Sequence, residues 1–205
     1  MLPTVNYDVL AERVTLNQHE IQHIQFKRIP PNQYHFEHDR LHIEVDDSAS
    51  FLLLPFKQVR SVSTVRYDWI LETGELKLED AADEASRTGD DAVFKLGLLI
   101  KGDPGLSNPL APKWLKQANA ALSTPSNRMI YIVANAKHPA GERWTSPYNS
   151  NVQMIAAHQR ALADGWLQAY YEFDRPLSVV GLWLMADGDN TDSRFSSRVK
   201  NIALE

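Results

Sequence analysis

Residues 25–56 read QFKRIPPNQYHFEHDRLHIEVDDSASFLLLPF, and this stretch carries a clear signal of secondary structure. Short apolar or alternating segments are separated by turn-forming residues, namely PPN, HDR and DDSA. In LHIEV (41–45) the apolar residues alternate with His42 and Glu44, which is the period of a half-buried β-strand. The stretch therefore predicts a series of short strands.

Further segments of the same kind follow along the chain, which brings the predicted strands to eleven. They are STVRYDWIL (63–71), AVFKLGLLIKG (92–102), MIYIVAN (129–135), NVQMIAA (151–157), WLQAYYEF (166–173), VVGLWLMA (179–186) and SSRVKNIALE (196–205). Two segments predict helices, LEDAADEASRTG (78–89) and APKWLKQANAAL (111–122). Because helices do not alternate with strands, we expect an all-β protein, an antiparallel β-sandwich (jelly roll) with one or two short inserted helices. Residues 25–205 would form this single domain, preceded by an N-terminal extension, 1–24.

Composition excludes several classes of function. The formal net charge of −5 argues against nucleic acid as a partner, because binding to phosphates needs clustered Lys and Arg. No apolar run approaches the roughly 18 residues of a membrane-spanning helix, so we expect no membrane insertion. The chain contains no cysteine, which excludes disulfides, thiolate catalysis and Cys-ligated zinc. The N-terminus has no signal-peptide pattern, so we expect a cytosolic protein or an exported one whose leader has been removed.

Several segments, read in order, resemble a bacterial family called domain of unknown function 3047. They are VRYDWIL (65–71), ADEASRTGDDAVFKLGLLI (82–100), IYIVAN (130–135), SPYNSNVQMIAAH (146–158), GWLQAYYEFDR (165–175) and VGLWLMADGDNTDSRFSSRVKNIAL (180–204). That family is similar to the galactose-binding-like jelly rolls of carbohydrate-binding modules. The resemblance implies a jelly-roll fold and a periplasmic or secreted location, and it supplies no activity.

The acidic segment ADGDNTDS (186–193) follows a predicted strand and has two interpretations. Its four oxygen-bearing side chains are of the type that bind calcium: Asp187, Asp189, Asn190 and Asp192. Alternatively, the first aspartate and the asparagine stabilise a tight turn, with Gly188 in an unusual backbone conformation. The segment is not an EF-hand loop, because the positions of its glycine and acidic residues differ from that pattern.

Two further acidic residues, Asp90 and Asp91, open a predicted strand. Neighbouring residues in a strand point to opposite faces, so this pair cannot act as the facing acid and base of a glycosidase. One of them could still meet the DGDNT segment across the sandwich. The alternative is that Asp90 ends the preceding helical segment and bonds to loop backbone.

Sugar binding uses aromatic rings, and Trp144 is an aromatic residue with no obvious core to enter. It belongs to the polar loop HPAGERWTSPYNSN (138–151). We therefore predict that a ligand is bound by Trp144 together with Arg143, Tyr148, Asn149 and Asp90. The alternative is that the tryptophan ring anchors its own loop.

The segment HEIQH (19–23) matches the letters of a zinc-protease helix. The following residues read as a strand and no third ligand follows at a familiar spacing, so we expect a solvated segment without zinc.

These observations favour a non-catalytic module that binds a saccharide or a related polar ligand. We expect no cofactor, with calcium at the acidic segment as the one alternative. One alternative is an enzyme acting on polysaccharide, a hydrolase or lyase, which needs two ionisable groups with shifted pKa values in one cleft. The other is a structural or protein-partner binding module, which would expose a broad apolar patch.

Overall fold

The structure is a computed structural model that describes residues 12–103 and 113–205. The strands of the described part are β1 (Glu12–Arg13), β2 (Gln22–Gln25), β3 (Gln33–Glu37), β4 (Arg40–Asp46), β5 (Ala49–Glu75), β6 (Ala92–Lys101), β7 (Ser126–Ala134), β8 (Arg143–Thr145), β9 (Val152–Ala156), β10 (His158–Ala161), β11 (Leu167–Asp187) and β12 (Arg194–Leu204). Helix α1 spans Ala81–Glu84 and helix α2 spans Lys113–Ala121, and a 3₁₀ turn spans Ala163–Gly165. None of the described helices is long and apolar enough to cross a bilayer.

The two longest strands, β5 and β11, run through both layers of a sandwich. Residues 167–172 of β11 pair with 64–69 of β5, and the pairing is irregular before it resumes towards Asp187. The first layer has the order β3, β4, β12, second half of β5, first half of β11, β10. The second layer has the order β2, first half of β5, second half of β11, β6, β7, β9, β8. The two layers are therefore one hydrogen-bonded sheet that folds over on itself.

Contacts between the layers show that they pack face to face. Tyr67, in the second half of β5, donates a hydrogen bond to the backbone oxygen of Ile132 on β7 at 2.9 Å. The ring of Tyr67 also packs edge-on against Phe94 of β6, with the centroids 5.2 Å apart. Since the second half of β5 belongs to the first layer and β6 and β7 belong to the second, the contacts cross the interior of the sandwich. The expected all-β sandwich with short helices is confirmed.

Strand alternation divides the apolar residues of β11 between two sides of the second layer. Leu182 and Leu184 point into the main core between the layers. Trp183 and Met185 point to the outer face, where they join a second apolar cluster with residues of β2, β7 and α2. On that face Trp114 of α2 packs edge-on against Trp183, with the ring centroids 5.8 Å apart. The outer face of the second layer is thus partly covered by α2.

The boundaries of several elements differ from the sequence expectation. The segments 50–56 and 63–71 are parts of the single strand β5, and the segments 166–173, from residue 167 onward, and 179–186 are parts of β11. The helix expected at 78–89 is only the one turn of α1. The helix expected at 111–122 is observed from Lys113, and its first two residues lie outside the described part of the chain.

Two features of the pairing were also not expected. Strands β7 and β9 pair in parallel, because β8 lies between them in the chain and forms the antiparallel partner of β9. Strand β1 and most of β2 fall within the expected extension, yet they pair with β12 and β5. Ile24 of β2 is fully buried, so the described part of this segment belongs to the sandwich.

Candidate functional site

A cleft of about 1100 Å³ lies on the outer face of the second layer, beside α2. One end is lined mainly by apolar side chains, among them Phe26, Leu99, Trp114, Leu122, Met129 and Trp183. The other end is polar and includes Asp90, Lys95, Tyr148, Asp187, Asp189 and Asn190. We call these two regions the apolar end and the polar end of the cleft. The cleft can therefore contact the apolar and the polar parts of one ligand.

The polar end is built around Lys95, in the middle of β6. Its side chain is only 2% exposed. Its Nζ lies 3.0 Å from Oδ2 of Asp187 and 3.5 Å from Oδ1 of Asp90, and it donates a 2.6 Å hydrogen bond to the backbone oxygen of Asp90. Strand alternation explains the placement, because Lys95 and Asp187 both point away from the main core on neighbouring strands. The ammonium group thus joins two buried carboxylates.

Burial and charge shift the pKa values of these groups. Burial alone would lower the pKa of Lys95, but the carboxylates of Asp187 and Asp90 raise it overall, so the ammonium group remains protonated. Burial raises the pKa of Asp90, and Lys95 opposes that rise. Burial also raises the pKa of Asp187; Lys95 opposes this effect, whereas Asp91 and Asp189 add to it.

Asp91 holds the loop 188–193 in place. Its carboxylate accepts hydrogen bonds from the backbone N–H groups of Asn190 and Thr191, from Nδ2 of Asn190 and from the hydroxyl of Thr191, at 2.6–3.3 Å. Asp91 is only 1% exposed. The carboxylate therefore fixes a loop that lies about a hundred residues later in the sequence.

This arrangement differs from the turn interpretation of the acidic loop. The turn is not stabilised by its own Asn190, whose Nδ2 donates to Asp91 and whose Oδ1 lies 2.8 Å from the Tyr148 hydroxyl. The left-handed backbone conformation occurs at Asp192, with φ 50°, and not at Gly188. A Cβ at position 188 would lie 2.7 Å from Cγ1 of Val45, so close packing explains that glycine.

Three carboxylates of the polar end lie close together. Oxygen atoms of Asp91, Asp187 and Asp189 are all within 4.8 Å of one another. Two of these residues belong to the set predicted to bind a metal, and Asp91 joins them from the start of β6. Asp192, also in the predicted set, is not part of this group, and its backbone oxygen accepts a hydrogen bond from Lys77.

The predicted ligand-binding residues separate into two groups. Asp90, Tyr148 and Asn149 line the polar end of the cleft. Trp144 and Arg143 are not among the described lining residues. The ring of Trp144 stacks on His138 with the centroids 3.9 Å apart, and Arg143 donates to the hydroxyl of Tyr171 at 2.7 Å. Trp144 thus anchors its own loop, which was the alternative interpretation.

Tyr148 is the exposed aromatic residue of the polar end. The side chain is 53% exposed, and its hydroxyl lies 2.7 Å from the backbone oxygen of Arg87. Partial burial, and then the nearby carboxylates of Asp90 and Asp189, raise the pKa of Tyr148. The ring is therefore oriented by hydrogen bonds next to a region of negative charge.

The HEIQH segment does not form the helix that a zinc-protease motif requires. His19 lies in a turn, whereas His23 lies in β2. Nε2 of His23 is 2.9 Å from the hydroxyl oxygen of Ser50. The two histidines therefore do not have the helical i, i+4 geometry of that motif.

The sequence analysis did not identify Lys95 as a residue of the site. A signal was present, because Lys95 interrupts the apolar segment AVFKLGLLI, which is otherwise that of a fully buried strand. A lysine at such a position needs a buried partner, and that partner is an acidic residue.

The comparison with family models agrees with the resemblance to domain of unknown function 3047. A family model described as "Protein of unknown function (DUF3047)" matches residues 19–203. Neither the search of curated proteins nor the search of solved structures finds a match to this chain.

Proposed function

The chain belongs to the DUF3047 family, whose description assigns no activity, and we propose from its cleft that it binds a saccharide or a related polar ligand without catalysis. A sugar ring has apolar C–H faces and a rim of hydroxyl groups, so its site needs apolar or aromatic surface next to hydrogen-bonding groups. The apolar and polar ends of the cleft supply both. The resemblance to galactose-binding-like modules is consistent with this ligand class.

The observation that carries the proposal is the position of Tyr148. More than half of this side chain is exposed, and it lines the cleft beside Asn149, Asn190 and Asp189. An exposed ring can stack on a pyranose face while neighbouring amides and carboxylates bind its hydroxyl groups. The cleft volume slightly exceeds the roughly 300–1,000 Å³ of typical small-molecule sites, which suits an oligosaccharide.

The test compares two exposed tyrosines by calorimetric titration with neutral, uronic-acid and amino-sugar oligosaccharides. Tyr148→Ala should weaken binding by about tenfold or more, because stacking on the ring is lost. Tyr170→Ala is the matched control, since Tyr170 is 40% exposed and is not among the described lining residues. The proposal fails if none of these oligosaccharides binds, or if both variants weaken binding equally.

A second candidate function is an enzyme acting on polysaccharide, and the shared cleft of Asp90 and Asp187 favours it. Burial raises the pKa of both carboxyl groups, as a general acid requires. Against this role, Lys95 contacts both carboxylates and opposes the pKa rise. Release of new reducing ends or unsaturated products from polysaccharide, abolished in Asp90→Asn, would favour the enzyme over the binding module.

The third class, a partner-binding module, receives less support. Among the described residues, the exposed large hydrophobic side chains are Val59 of β5, Tyr148 of the loop between β8 and β9, and Tyr170 of β11. Scattered apolar residues of this kind are normal on a monomeric surface.

A further inference from the structure

We propose that Asp91, Asp187 and Asp189 form a binding site for a divalent cation, calcium, at the polar end of the cleft. Oxygen atoms from all three carboxylates lie within 4.8 Å of one another, which is close enough for one ion to contact all of them. This site would exist whether or not the cleft binds a saccharide, so the inference does not depend on the proposed function.

A buried oxygen atom provides independent support. Asp187 is 4% exposed, and Lys95 contacts its Oδ2. The other oxygen, Oδ1, is buried and makes no hydrogen bond to the described residues. An unpaired carboxylate oxygen is costly to bury, and a bound cation would remove that cost. Oδ1 is therefore the atom through which Asp187 would bind the ion.

The local charges also favour a cation. Four carboxylates lie at the polar end, those of Asp90, Asp91, Asp187 and Asp189. Among the described residues, Lys95 is the cation that forms ion pairs with this group, and it contacts two of the four. Oxygen atoms of the Asp187 and Asp189 carboxylates lie within 4.8 Å of each other, an approach that two charged carboxylates resist. A divalent ion would reduce this repulsion.

Asp91 can bind a cation and still hold the loop 188–193 in place. The N–H of Asn190 is shared between its two oxygens, at 3.3 Å from Oδ1 and 3.2 Å from Oδ2. Oδ1 also accepts from Nδ2 of Asn190 at 3.0 Å, so a cation would use the other lone pair of Oδ1. The N–H of Asn190 would keep its bond to Oδ2, and Thr191 would continue to donate to Oδ2. The loop that carries Asp189 is thus already positioned before an ion binds.

Calcium fits this set of atoms better than magnesium does. Calcium accepts six to eight oxygen ligands in flexible geometry, with water completing the shell. Magnesium requires near-octahedral geometry at about 2.0–2.1 Å, which carboxylates already engaged by Lys95 and by loop N–H groups would not easily supply.

The test uses the full chain after treatment with EDTA and exchange into metal-free buffer. Calorimetric titration with calcium chloride alone should show a single binding event, and millimolar calcium should raise the melting temperature by several degrees relative to EDTA. The Asp189→Asn variant should bind calcium at least tenfold more weakly. Asp192→Asn is the matched control, because it removes the same charge from the same loop at a position outside the carboxylate group.

These measurements distinguish a specific cation site from attraction to the charge of the loop alone. Absence of both binding heat and a melting shift in the parent protein overturns the site. So does an equal loss in the Asp192→Asn and Asp189→Asn variants, because binding would then reflect only the charge of the loop. If Asp189→Asn does not fold, NMR spectra of the parent protein provide the test. Calcium must then shift the amide signals of Asn190 and Thr191, and shifts confined to other regions contradict the proposal.

Discussion

Lys95 Nζ lies 3.0 Å from Asp187 Oδ2, although the two residues are 92 positions apart and both side chains are almost completely buried. The contact joins β6 to β11 on the outer face of the second layer, at the inner wall of the cleft. Replacing both members of a buried ion pair with apolar residues often leaves the free energy of unfolding unchanged. Removing one member lowers it, because the other charge stays buried without a partner. The pair therefore makes each of its members difficult to replace alone.

We predict that Lys95→Met lowers the free energy of unfolding by about 3–5 kcal/mol, because the buried carboxylates of Asp187 and Asp90 lose their cation. Urea denaturation measures this change. Combining it with Asp187→Leu should recover part of the loss, because the uncompensated charge at position 187 is then also removed. A single variant as stable as the parent would contradict the ion-pair role.

The strands were predictable because alternation of apolar and polar residues is a local property. In LHIEV and in MIYIVAN the pattern placed a strand within a few residues of its observed position. The merging of segments into β5 and β11 was not predictable. Pro176 reads as a turn, yet the irregular pairing between Glu172 and Leu177 accommodates it within β11.

The candidate site was predictable only in part, because some of its contacts join segments that are far apart in the sequence. The DGDNT loop was recognisable from its residues, and strand geometry allowed Asp90 or Asp91 to meet it. That Asp91 holds Asn190 and Thr191 depends on the packing of β6 beside β11, which no short segment encodes. Trp144 was predicted to face a ligand because its loop is polar, but the loop supplies His138 as a stacking partner.

A second prediction concerns the hydroxyl of Thr191, which lies 2.6 Å from Oδ2 of Asp91 and 2.5 Å from the hydroxyl of Ser193. Thr191→Val keeps the shape of the side chain and removes this donor. Hydrogen bonds to charged groups contribute about 1.5–3 kcal/mol, so the free energy of unfolding should fall by that amount. Thr73→Val is the control, because the Thr73 hydroxyl bonds to the neutral hydroxyl of Ser196 in an exposed pair. If urea denaturation shows that both variants lose the same free energy of unfolding, the Asp91 contact has no special role.

A third prediction concerns Glu84, which connects α1 to the loop that follows β7. Its Oε2 accepts from the backbone N–H groups of Lys137 and His138 and lies 2.6 Å from Nδ1 of His138. Glu84→Gln removes the charge that strengthens these bonds and should cost about 1.5–3 kcal/mol of unfolding free energy. Because His138 stacks on Trp144, tryptophan fluorescence should change as well.

The control for this third prediction is Glu79→Gln, an exposed acidic residue just before α1. It should leave both the urea midpoint and the fluorescence unchanged. If Glu84→Gln behaves in the same way, the carboxylate does not hold this loop.

The last prediction is a loss of stability in alkaline solution that depends on Tyr67. This side chain is fully buried between the layers, and burial raises its pKa well above the usual value of 10.0. Above pH 10 the unfolded chain loses this proton while the folded protein keeps it, so the folded state becomes less stable as the pH rises. The contribution is fully present below pH 10 and decreases by about 1.4 kcal/mol for each further pH unit.

Urea denaturation between pH 8 and pH 11 should show a smaller decrease in Tyr67→Phe, although that variant starts about 1 kcal/mol lower because the oxygen of Ile132 loses its donor. If the slopes of the parent and of Tyr67→Phe are the same, Tyr67 is not held in its neutral form by burial.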